Sequence, residues 1–83
     1  IMDLALEAAQ CGNPNSVSDA GVAAEMANAG VHGAALNVFI NLNGIEDKKF
    51  CIKIKTNTEN LVKDADKLLM KTRRVVFKIM NNG

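Results

Sequence analysis

The chain has 83 residues and a net charge of +1, and 48% of its residues are hydrophobic although it contains no Trp or Tyr. This length bounds it to one domain or part of one. The charge is uneven: residues 1–44 carry four acids and no Lys or Arg, whereas residues 45–83 carry all ten Lys and Arg against five acids. Because these bases alternate with acids and lack interleaved aromatics, a solvated helix face explains them better than a nucleic-acid interface.

The two cysteines, Cys11 and Cys51, stand far apart, and no His lies at ligand spacing from either. This pattern predicts reduced thiols in a cytoplasmic protein and no metal site. The sequence is too rich in Asn, Glu and Gly to predict a membrane span. The chain starts at Ile1 inside an apolar pattern, which predicts that it is a fragment.

The first predicted helix covers residues 1–11. Gly12 follows it at the position where glycine ends helices, and Pro14 bars its continuation. The second predicted helix covers residues 16–43. Ser16 and Asp19 fit the capping box that starts a helix, and Gly44 supplies the stop.

The second helix is thin, because ten of its residues are Ala or Gly. Each interior glycine costs about 1 kcal/mol relative to alanine. That cost predicts that neighbouring backbones approach the helix closely at Gly21, Gly30 and Gly33. The helix also carries few charges, so we expect it to be surrounded by protein.

The third predicted helix covers residues 47–81. The stretch CIKIKTNT alternates like a strand, but a 3-4 series of apolar residues and Thr continues past any strand length. The series consists of Cys51, Ile54, Thr58, Leu61, Ala65, Leu68, Thr72, Val75 and Ile79. It predicts one long helix that covers one side of the second helix. The pattern does not decide whether this helix frays near residues 56–60. The fold class is therefore an all-α antiparallel bundle, part of a larger helical domain, completed by upstream helices, by a second subunit, or by both.

Chemistry-bearing side chains concentrate just before and within the start of the second helix. Asp19 is either the capping partner of Ser16 or an acid–base group. Asn13, Asn15, Ser16 and Ser18 are ordinary turn and cap residues, but a helix N-terminus also offers amide donors to a ligand. Loops and caps of this polarity often carry function.

Other polar residues have plainer interpretations. Asn37 and Asn41 lie four apart on one helix face, where they bond substrate, a second subunit or a neighbouring backbone. His32 has no carboxylate at i±4, which predicts a surface or packing role. We expect solvated side chains at Lys48, Lys49, Lys53, Lys55, Arg73 and Arg74, and core packing at Met26 and Met70.

The segments GNPNSVSDAGVAA (residues 12–24) and GAALNVFINLNGI (residues 33–45), with the long charged helix after them, resemble the C-terminal part of the formiminotransferase-cyclodeaminase family. That family includes stand-alone methenyltetrahydrofolate cyclohydrolases. The resemblance implies an all-helical homodimer with a folate substrate in a cleft near the dimer interface. It also implies closure of formiminotetrahydrofolate with loss of ammonia, or hydrolysis of the methenyl bridge, without a metal or redox cofactor.

Within those motifs Asp19 is the candidate catalytic residue. The candidate substrate-binding residues are Asn13, Asn15, Ser16, Ser18, Asn37 and Asn41. Because earlier helices of the family contribute to the cleft, we expect the 83 residues alone to be inactive. The alternative is a non-catalytic helical module for dimerisation, favoured by the heptad stripe and the glycine-rich helix.

Overall fold

A computed structural model describes the backbone of residues 14–82 and the side chains of residues 16–81. In this part of the chain two helices follow one another: α1 spans Pro14–Leu42 and α2 spans Lys48–Asn82. They fold back on each other as an antiparallel hairpin of 55 × 16 × 15 Å. The predicted helix at residues 1–11 lies outside the described residues. Neither helix is long and apolar enough to cross a membrane.

Helix α1 begins two residues before the predicted start. Pro14 occupies its first turn, a position that suits proline because its fixed φ is already helical and its missing amide proton is not needed. Ser16 therefore lies inside the first turn, and the prediction that it is the N-cap of a helix over 16–43 is wrong.

A tight turn and a side-chain cap join the two helices. The amides of Asn43, Gly44 and Ile45 each donate to the carbonyl three residues earlier, at 3.1 to 3.3 Å, which ends α1 at Leu42. At the start of α2 the carboxylate of Asp47 accepts from the amide of Phe50 at 3.1 Å. This is the N-cap geometry that satisfies one of the free amides of a helix start.

Helix α2 is continuous from Lys48 to Asn82, so the strand-like alternation at its start has no structural counterpart. The apolar stripe that faces α1 differs from the predicted series first at Leu61, which is 64% exposed, while Val62 takes the inner position. Further along, Leu69 and Val76 are buried and their neighbours Leu68 and Val75 only partly so, whereas Thr72 of the predicted series stays buried. A straight helix repeats every 3.6 residues, so a strict 3.5-residue series drifts off the contact line.

Small side chains on α1 meet larger ones on α2 in the core. The buried apolar residues of this cluster are Val17, Ala20, Ala24, Leu69 and Val76. Thr72 sits among them with 1% exposure, and its hydroxyl donates to the carbonyl of Leu68 at 2.8 Å. That bond satisfies the hydroxyl within its own helix, which lets a threonine occupy an apolar seam.

Glycine contributes to this seam at one position only. A Cβ placed on Gly21 would lie 3.5 Å from Val76 Cγ1, whereas a Cβ on Gly30 or Gly33 would meet no atom within 4 Å. Within the hairpin α2 does not approach Gly30 or Gly33, so close approach of another helix or a second subunit to these glycines stays a prediction. Both glycines lie on sides of α1 that α2 does not cover.

The side of α1 opposite α2 carries a second apolar stripe, which we call the outer stripe. It consists of Val22, Met26, Ala29, Gly33, Leu36 and Ile40, all exposed. Their spacing of 4-3-4-3-4 places them within one narrow strip of the helix surface. Met26 is 70% exposed and Met70 on α2 is 52% exposed, so neither fills the core of the hairpin as predicted.

Candidate functional site

A groove between the two helices lies beside the first turns of α1. Its volume is about 200 Å³, and its α1 wall includes Ser18, Gly21 and Glu25. Arg73 and Phe77 of α2 form part of the opposite wall. The groove combines apolar side chains with one ion pair and two hydroxyl-bearing residues, Ser18 and Thr72, a composition typical of small-molecule sites.

The polar residues predicted at the start of α1 meet this groove in part. Ser18 lines it, whereas Ser16 and Asp19 are exposed and are not among the residues that line it. The prediction for Asn13 falls outside the described residues, and the side chain of Asn15 is likewise not described. The structure thus brings Ser16, Ser18 and Asp19 together at one end of the hairpin.

Asn37 and Asn41 lie elsewhere. Both are exposed in the hairpin, so the expected bonds to substrate, a second subunit or a neighbouring backbone stay predictions. Asp19 and Asn37 are 18 residues apart, which is five helical turns, so they point the same way from positions ~27 Å apart along the axis. One chain therefore does not gather all the predicted residues into a single site.

An ion pair crosses the groove. Arg73 Nε and Nη2 donate to the two carboxylate oxygens of Glu25, each at 2.6 Å. These hydrogen bonds hold the pKa of Glu25 below its ordinary value and raise the pKa of Arg73. Such a bidentate arrangement fixes the orientation of both side chains. The prediction that Arg73 is simply solvated is wrong.

A second polar cluster lies further along the hairpin. The Asn28 amide donates to Asp66 Oδ1 at 2.9 Å, and His32 Nε2 lies 2.7 Å from the same oxygen. An ionised carboxylate only accepts hydrogen bonds, so Nε2 carries a proton in this contact. The bond from Asn28, followed by the one from His32, keeps the pKa of Asp66 below its ordinary value. The carboxylate that His32 lacks on its own helix is supplied by α2.

A larger groove, about 450 Å³, lies at the turn and is lined by apolar side chains with Asn43, Cys51 and Lys55. The Cys51 thiol lies 3.6 Å from the carbonyl oxygens of Leu42 and Ile45 and donates to them, so it ties the end of α1 to the turn. No group of His, Cys, Asp or Glu that could hold a metal ion is present among the described residues.

Sequence reasoning missed the cross-helix contacts of the five residues that join the helices through polar side chains: Glu25, Asn28, His32, Asp66 and Arg73. One signal was available. The first 44 residues carry acids and no Lys or Arg, and the rest of the chain carries all ten bases. In an antiparallel hairpin an acid on α1 must therefore find its cation on α2, but the partner depends on register, which the pattern alone does not specify.

The described residues form a hairpin of two helices with a partly polar groove beside the start of α1. This architecture places the protein in the all-α class. The family model described as Formiminotransferase-cyclodeaminase matches residues 1–60. The chain belongs to the formiminotransferase-cyclodeaminase family. This confirms the resemblance seen in the segments around residues 12–24 and 33–45.

Named relatives are similar over most of the chain. Methenyltetrahydrofolate cyclohydrolase from Methylorubrum extorquens is 43% identical over 68 residues, which is 82% of this chain and 33% of the relative. Formimidoyltransferase-cyclodeaminase from Rattus norvegicus is 42% identical over 59 residues, 71% of this chain and 11% of the relative. The chain therefore spans a third or less of these relatives. No solved structure matches.

Proposed function

We propose that this chain is the C-terminal part of a folate one-carbon enzyme, a formiminotetrahydrofolate cyclodeaminase or a methenyltetrahydrofolate cyclohydrolase. The observation that carries the proposal is the family match over residues 1–60, together with relatives named for folate chemistry at 42–43% identity. Both reactions transfer protons at a carbon bonded to nitrogen, so they need an acid–base group and donors that hold the ring system. The proposed enzyme needs no cofactor and works in the cytoplasm.

In this proposal Asp19 is the proton-transfer group. It is exposed near the start of α1, where a substrate can approach it. Asn13, Asn15, Ser16 and Ser18 orient the substrate around it. Asn37 and Asn41 contact substrate or the second subunit at a separate point, since they lie about five and six turns from Asp19 along α1.

The outer stripe supports the proposed partners. Four of its side chains, Val22, Met26, Leu36 and Ile40, are each 57–70% exposed in the hairpin, and apolar stripes of this regularity normally pack against another helix. We propose that helices preceding this segment and a second copy of the enzyme cover it. The 83 residues by themselves are then inactive, because part of the cleft is missing.

A chimeric enzyme tests the proposal. The 68 residues of the Methylorubrum extorquens cyclohydrolase that match this chain are exchanged for the residues of this chain, and loss of the methenyl absorbance band is followed. The proposal predicts turnover, and an Asp19→Asn chimera with kcat lower by about 100-fold or more, the usual scale for a lost acid–base group. An Asp64→Asn chimera is the matched control and keeps its activity. A folded chimera with no turnover of methenyl- or formiminotetrahydrofolate would reject it.

The outer stripe also favours a second candidate, an interaction module whose only task is dimerisation. It predicts that Asp19→Asn and Asn15→Ala leave turnover of the chimera unchanged, while Gly30→Leu dissociates the dimer. Size-exclusion chromatography with light scattering, run beside the activity assay, separates the two candidates.

A further inference from the structure

The seam between α1 and α2 does not by itself fix how the helices align. The inner face of α1 presents mostly small side chains, such as Ala20, Ala24 and Ala35, which are buried at 6% exposure or less. Similar residues recur at each turn, so sliding α2 by one turn exchanges one apolar contact for another. Polar groups in such seams are the usual means of choosing a single register.

One polar cluster interrupts the seam. A single carboxylate oxygen of Asp66 contacts both Asn28 Nδ2 at 2.9 Å and His32 Nε2 at 2.7 Å. Asn28 and His32 lie four residues apart, on adjacent turns of one face of α1. Asn28 is only 9% exposed, so water does not readily replace its partner in the protein.

We propose that Asn28, His32 and Asp66 act as a register clasp, which selects the observed alignment of α1 and α2 over alignments displaced by one helical turn. A displacement of one turn replaces Asp66 by Val62, Lys63, Leu69 or Met70. None of these side chains has an oxygen that could accept from the Asn28 amide, which would then stay buried without a good acceptor.

The second polar contact between the helices agrees with this alignment. Glu25 lies seven residues before His32 on α1, and Arg73 lies seven residues after Asp66 on α2. Both pairs, Glu25–Arg73 and His32–Asp66, therefore form together only in one register. The clasp differs from that pair because one of its members, Asn28, is buried.

Disulfide trapping in the full 83-residue chain tests the clasp. With Cys11 and Cys51 changed to Ser, one variant carries Gly21→Cys with Val76→Cys and a second carries Gly21→Cys with Met80→Cys, which is displaced by one turn. A Cβ at Gly21 lies 3.5 Å from Val76 Cγ1, close to the spacing that a disulfide requires. At low protein concentration we expect the first pair to oxidise about tenfold faster than the second, as mass spectrometry measures it.

The decisive comparison exchanges two residues of the same chain, Asp66→Met with Met70→Asp. This moves the acid by one turn without changing the composition, so the preference should shift by about tenfold toward the displaced 21–80 pair. Unfolding cannot produce a shift toward one specific pair. An unchanged preference for the 21–76 pair after the exchange would overturn the proposal, as would equal oxidation of both pairs before it.

Discussion

The guanidinium of Arg73 and the carboxylate of Glu25 face each other across the hairpin with two parallel hydrogen bonds of 2.6 Å. The pair spans the groove that Ser18 lines at the start of α1. Because the two residues are 48 positions apart in the chain, their contact ties the proposed catalytic end of α1 to the far end of α2. The polar contacts between the helices, rather than the apolar seam alone, position the candidate site.

Replacement of Arg73 by Ala should lower the thermal midpoint of the hairpin more than replacement of Arg74 by Ala. The two changes remove the same charge from neighbouring positions, but Arg74 is exposed and makes no ion pair or side-chain hydrogen bond in the described part of the chain. The pair is partly exposed, so 1 M salt should reduce the difference by screening. Circular dichroism melts check this, and equal midpoints for both variants in low salt would contradict it.

The lowered pKa of Asp66 predicts that the stability of the protein falls at acidic pH. Its pKa in the folded protein is below the ordinary value because Asn28 and His32 bond its ionised form. The unfolded chain therefore binds the proton more readily, so stability from this group is present above the unfolded pKa and is lost as pH falls through the folded pKa. Thermal melts from pH 7 to pH 3 should show a shallower acid loss for Asp66→Asn than for the wild-type chain.

The matched control for this measurement is Asp64→Asn. Asp64 is exposed and makes no side-chain hydrogen bond among the described residues, so its variant should follow the wild-type acid profile. Identical profiles for all three proteins would show that the contacts of Asp66 do not contribute to the pH dependence.

Local chemistry explains which parts of the fold the sequence predicts. The helix class, the turn near Gly44 and the long α2 follow from caps and spacing that act within a few residues. The shift of the apolar stripe from Leu61 to Val62 does not follow from such local signals. It depends on how the contact line of a straight helix drifts along its neighbour. Likewise, Pro14 could be interpreted either as a break or as the first residue of a helix, and only the chain geometry decides.

The sequence predicted which polar residues lie near the start of α1, but not which residues of α2 contact α1. Of the polar residues predicted at the start of α1, Ser18 lines the groove, whereas Ser16 and Asp19 are exposed outside its lining, and the roles of all three stay predictions. His32 lies at the surface as predicted, but its contact with Asp66 was not predictable, since that carboxylate is 34 residues away in the chain. Contacts of this range depend on register, which no short pattern contains.

Overpacking should distinguish the two faces of α1. Ala24 is fully buried against α2, so Ala24→Leu should destabilise the hairpin by about 1–3 kcal/mol. Ala29 lies on the outer stripe and is exposed, so Ala29→Leu should change stability by less than about 0.5 kcal/mol in the same chain. Urea unfolding followed by circular dichroism gives both values. Equal destabilisation would mean that the faces are assigned wrongly.

The central claim is that the outer stripe of α1 is an interface in the assembled enzyme, and thiol protection tests it most directly. A cysteine is introduced by Gly33→Cys into the 83-residue chain and into the cyclohydrolase chimera, and Lys49→Cys serves as an exposed control. Each protein is treated with an alkylating reagent, and peptide mass spectrometry measures the labelling at each position. We predict rapid labelling of both cysteines in the isolated chain, but in the chimera protection at position 33 and unchanged labelling at position 49. Equally rapid labelling of position 33 in an assembled, active chimera would contradict the claim.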